Sequence, residues 1–131
     1  EGSAGMEKPP EEWFKQAEYD LDTAEYMLRG GRNLYAVFMA HLATEKALKG
    51  LYLARLDQVP PKTHNLAYLL GQARVEAPQA TVEFLVRLNE AHIATRYPDN
   101  MATARAAYPK SLVEDILFQA GEIIRWIGSQ Y

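Results

Sequence analysis

Leu34-Tyr-Ala-Val37-Phe38-Met-Ala40-His41-Leu42-Ala-Thr44-Glu45-Lys46-Ala47-Leu48-Lys49-Gly-Leu51-Tyr52 decides the fold. Val37, Ala40, Thr44, Ala47, Leu48 and Leu51 recur at helical spacing on one side. Phe38, Leu42 and Tyr52 form a second apolar line on another side. A helix apolar on two sides serves two packing interfaces, so a helix spanning roughly 34–56 belongs at the centre of its domain. Its remaining face carries Glu45 and Lys49, an i,i+4 pair in the favourable order.

Outward from this helix the same periodicity continues. Upstream, Phe14, Ala17, Leu21, Ala24 and Leu28 alternate steps of three and four, and Gly30-Gly31 closes that helix. Asn33 is placed to cap the helix that follows. Downstream, Pro60-Pro61 breaks the chain, and Thr63-His64-Asn65 introduces Leu66, Leu69 and Leu70, a short helix. Pro78 suits the first turn of a further helix with Val82, Leu85, Val86, Asn89, His92, Ile93 and Arg96 on its inner stripe. Pro98 ends it near Tyr97. Residues 99–110 read as a connection with a single helical turn. Ser111 and Glu114 form a capping box ahead of Val113, Ile116, Ala120, Ile123 and Ile127.

No segment alternates as a strand does. The expected fold is all-α: an antiparallel up-and-down helical bundle of four long helices and one short one. At 131 residues the chain suits one domain and buries roughly two thirds of its extended surface, enough for a core without staples. Residues 1–5, Glu-Gly-Ser-Ala-Gly before Met6, read as a cloning remnant, leaving 6–131 as the domain. The chain has no cysteine, which removes disulfides, thiolate metal sites and cysteine nucleophiles and fits a reducing, cytoplasmic setting. A net charge of -3 predicts no general attraction to nucleic acid or anionic membrane, and no apolar run is long enough to span a bilayer.

The chemistry concentrates where the inner stripe of the fourth long pattern turns polar: Asn89, His92 and Arg96, followed by Tyr97-Pro98-Asp99. Arg96 offers a planar fork for a phosphate or a partner carboxylate; equally, it can pair with Asp99 or Glu90 to secure the helix end. Asp99 can pair with Arg96, cap the next turn or face a ligand. Tyr97 can stack on a base or cover the bundle edge. His64 can lock its loop or contact a ligand, His41 reads as a packing residue, and His92 shares the stripe of Arg96. Glu45, Lys46 and Lys49 read as a solvated ion-pair face or as one wall of a polar groove facing Arg96. The sequence contains no Glu-x-x-His pair and no His-Glu-x-x-His motif, so no metal ligands are assigned.

Four segments carry a family likeness. Trp13-Phe14 with Ala17-Glu18-Tyr19-Asp20-Leu21, Ala43-Thr44-Glu45-Lys46-Ala47-Leu48-Lys49, Thr63-His64-Asn65-Leu66, and Arg96-Tyr97-Pro98-Asp99 occur in this order. Together they resemble the HEPN family (higher eukaryotes and prokaryotes nucleotide-binding) from Trp13 onward. The resemblance implies a helical bundle, a homodimer, nucleotide binding, and pairing with a small nucleotidyltransferase protein in a toxin-antitoxin arrangement. One branch of the family cleaves RNA with an Arg followed four to six residues later by a His. Here no histidine follows His92, so that motif is absent. Binding is therefore expected over chemistry, with no catalytic residue assigned and no cofactor beyond a nucleotide ligand. The binding residues are expected to be Arg96, Asp99, Tyr97, Asn89, His92, Glu45, Lys49 and His64. The alternatives are a divergent ribonuclease using Arg96 with His92 or His64, and a purely structural helical adaptor.

Overall fold

A computed structural model describes residues 8–131; the expected remnant at residues 1–5 and the expected domain start at Met6 lie outside the described residues. Six helices follow one another: α1 Pro10–Arg29, α2 Asn33–Leu56, α3 Leu66–Gln72, α4 Gln79–Arg96, α5 Met101–Ala107 and α6 Lys110–Ser129. No strand occurs among the described residues. No helix among them is long and apolar enough to cross a membrane.

The two-sided apolarity of α2 has the consequence expected of it. Helix α2 packs against each of the other five helices. Val37, Ala40, Thr44, Ala47, Leu48 and Leu51 are all fully buried. Around them close Ala17, Ala24 and Leu28 of α1 and Val113, Ala120, Ile123 and Ile127 of α6. The helix ends are set locally. Gly31 takes a φ of 80° after α1, a left-handed turn that glycine enters without a Cβ penalty. Asp57 closes α2 at φ 52°, left-handed geometry that an aspartate tolerates better than most residues.

Close approach fixes the far end of the bundle. A Cβ on Gly50 would stand 2.7 Å from the Cβ of Trp13 and 2.9 Å from Cζ of Tyr131. The absence of a side chain lets Tyr131 lie across α2 and donate its hydroxyl to the Ala47 carbonyl at 2.7 Å. Beside it, Lys46 Nζ meets the buried Asp20 carboxylate at 2.8 Å, so Lys46 ties α2 to α1 and leaves the patch it was grouped with in the sequence.

Four expectations need correction. The connection 99–110 contains a two-turn helix, α5, so the bundle has two short helices. Its Met-Ala-Thr-Ala-Arg-Ala-Ala run has strong intrinsic helix propensity but buries no residue, so it shows no stripe. Asn33 does not cap α2: it is the first helical residue, and its side-chain amide donates to the Tyr108 carbonyl at 3.0 Å. Ser111 does not cap α6, because Pro109 occupies that position and Ser111 already lies in the first turn. On α4 the buried face is Phe84, Leu85, Leu88, Ala91, His92 and Thr95. Val86 and Ile93 sit one residue round the helix from that face and are exposed, Ile93 to 64%.

Candidate functional site

The three histidines of the chain meet between α2, α4 and the segment leading into α3. His41 on α2 and His92 on α4 stack nearly parallel, with ring centroids 3.8 Å apart and planes 11° from coplanar. His64 meets the edge of His92 at 6.3 Å, and Phe38 stacks beside His92 at 5.5 Å. Helical spacing produces this wall: Phe38, His41, Glu45 and Lys49 follow steps of three, four and four along one face of α2.

Asn89 orders the cluster. Its Oδ1 accepts the Leu66 backbone N–H at 3.1 Å, which fixes that atom as the oxygen. Its Nδ2 donates to Asn65 Oδ1 at 3.0 Å, and Asn65 Oδ1 also accepts the Tyr68 N–H, capping α3. His41 Nε2 lies 3.3 Å from the same Asn89 oxygen, so Nε2 carries the ring proton. Burial pushes the His41 pKa down to about 4, and the neighbouring His92 imidazole adds to the shift; Asn89 and Glu45 oppose it. The pKa of His92 is also lowered, first by burial, then by Arg96 and His64, against the pull of Glu45. Both stacked rings are therefore neutral at pH 7, which removes the repulsion that two imidazolium ions at this distance would suffer.

Glu45 is the anion of the site. It is buried, and its two oxygens are divided between partners. Oε2 receives Lys49 Nζ at 3.0 Å, and Oε1 accepts His64 Nδ1–H at 2.9 Å. Oε1 also lies 3.9 Å from His41 Nδ1. In the neutral imidazole, donation through Nδ1 leaves Nε2 as the lone-pair nitrogen, on a side chain 64% exposed to solvent. A carboxylate that orients an exposed imidazole in this way can serve either a proton transfer or a directed hydrogen bond.

Arg96 closes the other end of the wall. Its guanidinium lies over Phe38 at 5.5 Å and over Tyr97 at 5.3 Å. No carboxylate comes within 4.0 Å of it among the described residues, so the structural alternative for Arg96, an ion pair with Asp99 or Glu90, does not form. Aromatic faces hold the fork in place and leave its donors free. Asp99 takes neither of the structural roles foreseen for it: Asn100 caps α5, accepting the Thr103 N–H at 2.9 Å. Asp99 stays exposed.

Of the expected residues, His92, Glu45, Lys49, His64 and Asn89 join one connected cluster, with Arg96 and Tyr97 at its rim; Asp99 stands apart. His41, Phe38 and Asn65 belong to it and were missed. The spacing of Phe38 and His41 with Glu45 carried a usable signal. The role of Asn65 did not, because it depends on Asn89, which is distant in the sequence. No three His, Asp, Glu or Cys side chains among the described residues are arranged to hold a metal ion.

The model of the HEPN domain family matches residues 10–130. The chain belongs to the HEPN family. Among solved structures, this HEPN chain is similar to TT1696 from Thermus thermophilus, at 33% identity over 93% of this chain and 98% of that one, with a TM-score of 0.83. It is also similar to ST0689, an archaeal HEPN homologue, at 26% identity over 95% of this chain and 98% of that one, with a TM-score of 0.76. No curated protein matches it.

Proposed function

We propose that this HEPN protein is a non-catalytic binding module that takes a nucleotide, or the face of a small nucleotidyltransferase partner, at the rim of the histidine cluster. The observation that carries this reading is Arg96: a guanidinium held on Phe38 and Tyr97 with no carboxylate partner among the described residues. A fork presented in this way suits phosphate oxygens or a partner's carboxylates. His64 Nε2 and the exposed Tyr97 ring supply a directed hydrogen bond and a stacking surface beside it. Titration with ATP and AMP, followed by NMR, is expected to shift resonances of Arg96, Tyr97 and His64. Arg96→Ala is expected to abolish those shifts while the circular dichroism spectrum stays unchanged. Unshifted resonances at saturating nucleotide would defeat the nucleotide reading. The partner reading fails if no nucleotidyltransferase co-purifies with the tagged protein from its native host.

A second reading is favoured by the Glu45–His64 pair. An exposed imidazole oriented by a buried carboxylate is a general-base arrangement, and with Arg96 it supports a divergent ribonuclease. RNA left intact after long incubation with the wild-type protein removes this reading; cleavage that His64→Ala abolishes establishes it.

The same rim is proposed as a homodimer interface. Val86 and Ile93, seven residues apart on the exposed face of α4, present apolar surface along the helix that ends at Tyr97. Light scattering at micromolar concentration is expected to give twice the chain mass, and Ile93→Asp to halve it. A wild-type protein of single-chain mass would overturn the dimer.

A further inference from the structure

Away from the histidine cluster, the turn after α1, the first turn of α2 and helix α5 enclose an open cleft of about 510 Å³. Arg32 and Tyr35 line it from the start of α2, and Met101 and Arg105 line it from α5. Neither arginine has a carboxylate within 4.0 Å among the described residues, and no acidic residue lines the cleft. In a chain of net charge -3, two unpaired guanidiniums facing one cavity are a local inversion of the protein's charge. Tyr35 is 62% and Met101 57% exposed, so the cleft also presents apolar and aromatic surface to solvent. Its walls are tied together, because Asn33 at the start of α2 donates to the Tyr108 carbonyl at the end of α5. Asn100 caps α5 at its other end. None of the residues of the Arg96 rim lines this cleft.

We infer that the cleft is a second ligand site, for a phosphate monoester carried on an aromatic or apolar body. The volume falls within the range of small-molecule sites. A carboxylate brings one negative charge to two guanidiniums, whereas a phosphate monoester brings close to two, so a pair of forks from separate elements matches the phosphate better. The three oxygens of a phosphate dianion can accept from both. The organic body of the ligand covers Tyr35 and Met101, removing apolar surface from water. This site is independent of the nucleotide reading at Arg96, and either can fail alone.

Phenyl phosphate is the probe, with inorganic phosphate, phenol and benzoate as its parts and competitor. Calorimetry is expected to show saturable one-to-one binding of phenyl phosphate, with inorganic phosphate and benzoate each weaker by about tenfold or more and phenol silent. Arg32→Ala and Arg105→Ala should each weaken phenyl phosphate by about tenfold, while Arg87→Ala, on the outer face of α4, leaves it unchanged. In NMR the shifts should fall on Tyr35 and Met101 and spare His64. Arg105→Lys keeps the charge and loses the fork, and should bind with intermediate strength. Absence of saturable binding overturns the site. So does binding that survives both alanine variants, or shifts centred on His64. Benzoate binding as tightly as phenyl phosphate overturns the ligand class.

Discussion

Lowering the pH from 7 to 5 is expected to destabilise the protein by about 2 kcal/mol through His41 alone, with His92 adding in the same direction. In the folded chain burial holds His41 near a pKa of about 4, against 6.5 in an unfolded chain. Above pH 6.5 neither state binds the proton and stability is complete. Between 6.5 and 4 only the unfolded chain binds it, so each pH unit of acidification favours unfolding by about 1.4 kcal/mol. For a domain of this size that is roughly 3 °C of melting temperature per kcal/mol. The two rings titrate as a pair, because a proton on either places a charge 3.8 Å from its neighbour. Differential scanning calorimetry from pH 8 to 5 checks this. His41→Gln, which keeps a donor for Asn89 Oδ1 and removes one titrating ring, should remove the His41 part of the slope. A melting temperature that stays flat across this range would show that the stack opens to solvent without cost, and the account of the site would be wrong.

The sequence shows the fold far better than the site, and the reason is physical. Helical periodicity is a local property: Val37 to Leu51 and Val113 to Ile127 repeat at their spacing whatever surrounds them, and burial follows. Caps and ion pairs depend on geometry that spacing leaves open to within one residue. Asn33 and Asp99 each lie one position from the N-cap site of a helix, and each therefore does something else. The site is further removed from local pattern. Glu45 reads as half of a surface i,i+4 pair, and its pairing with Lys49 is real. That Glu45 is buried, and that it orients His64 from nineteen positions away, follows only from the path of the chain through Pro60-Pro61. His41 reads as packing and does pack, but its partner is another imidazole. The likeness to HEPN segments marked Glu45, His64 and Arg96 together without saying how they touch.

The largest effect of a single substitution is expected at Glu45. Glu45→Gln keeps the size of the side chain and removes the charge that both Lys49 and His64 face. The Lys49 side chain is only 13% exposed, so its ammonium would be left largely out of water with no counter-ion. Breaking a buried pair from one side costs about 3–5 kcal/mol when the remaining charge is trapped. Lys49 can move part of the way toward solvent along its flexible stem, which brings the expected loss to about 2–3 kcal/mol. The double variant Glu45→Gln with Lys49→Met should recover most of that loss, because it removes the stranded charge and keeps the apolar stem. Urea unfolding of the four proteins in this cycle gives the coupling energy directly. If the double variant is as unstable as the single one, the penalty lies in His64 and its loop and not in Lys49. A Glu45→Gln protein as stable as wild type would mean that Glu45 is not the anchor of the cluster. Recovery of stability in the double variant without recovery of nucleotide-induced shifts at His64 would separate the two duties of this carboxylate. Lys49 would then be its structural partner, and His64 the residue it holds ready for a ligand.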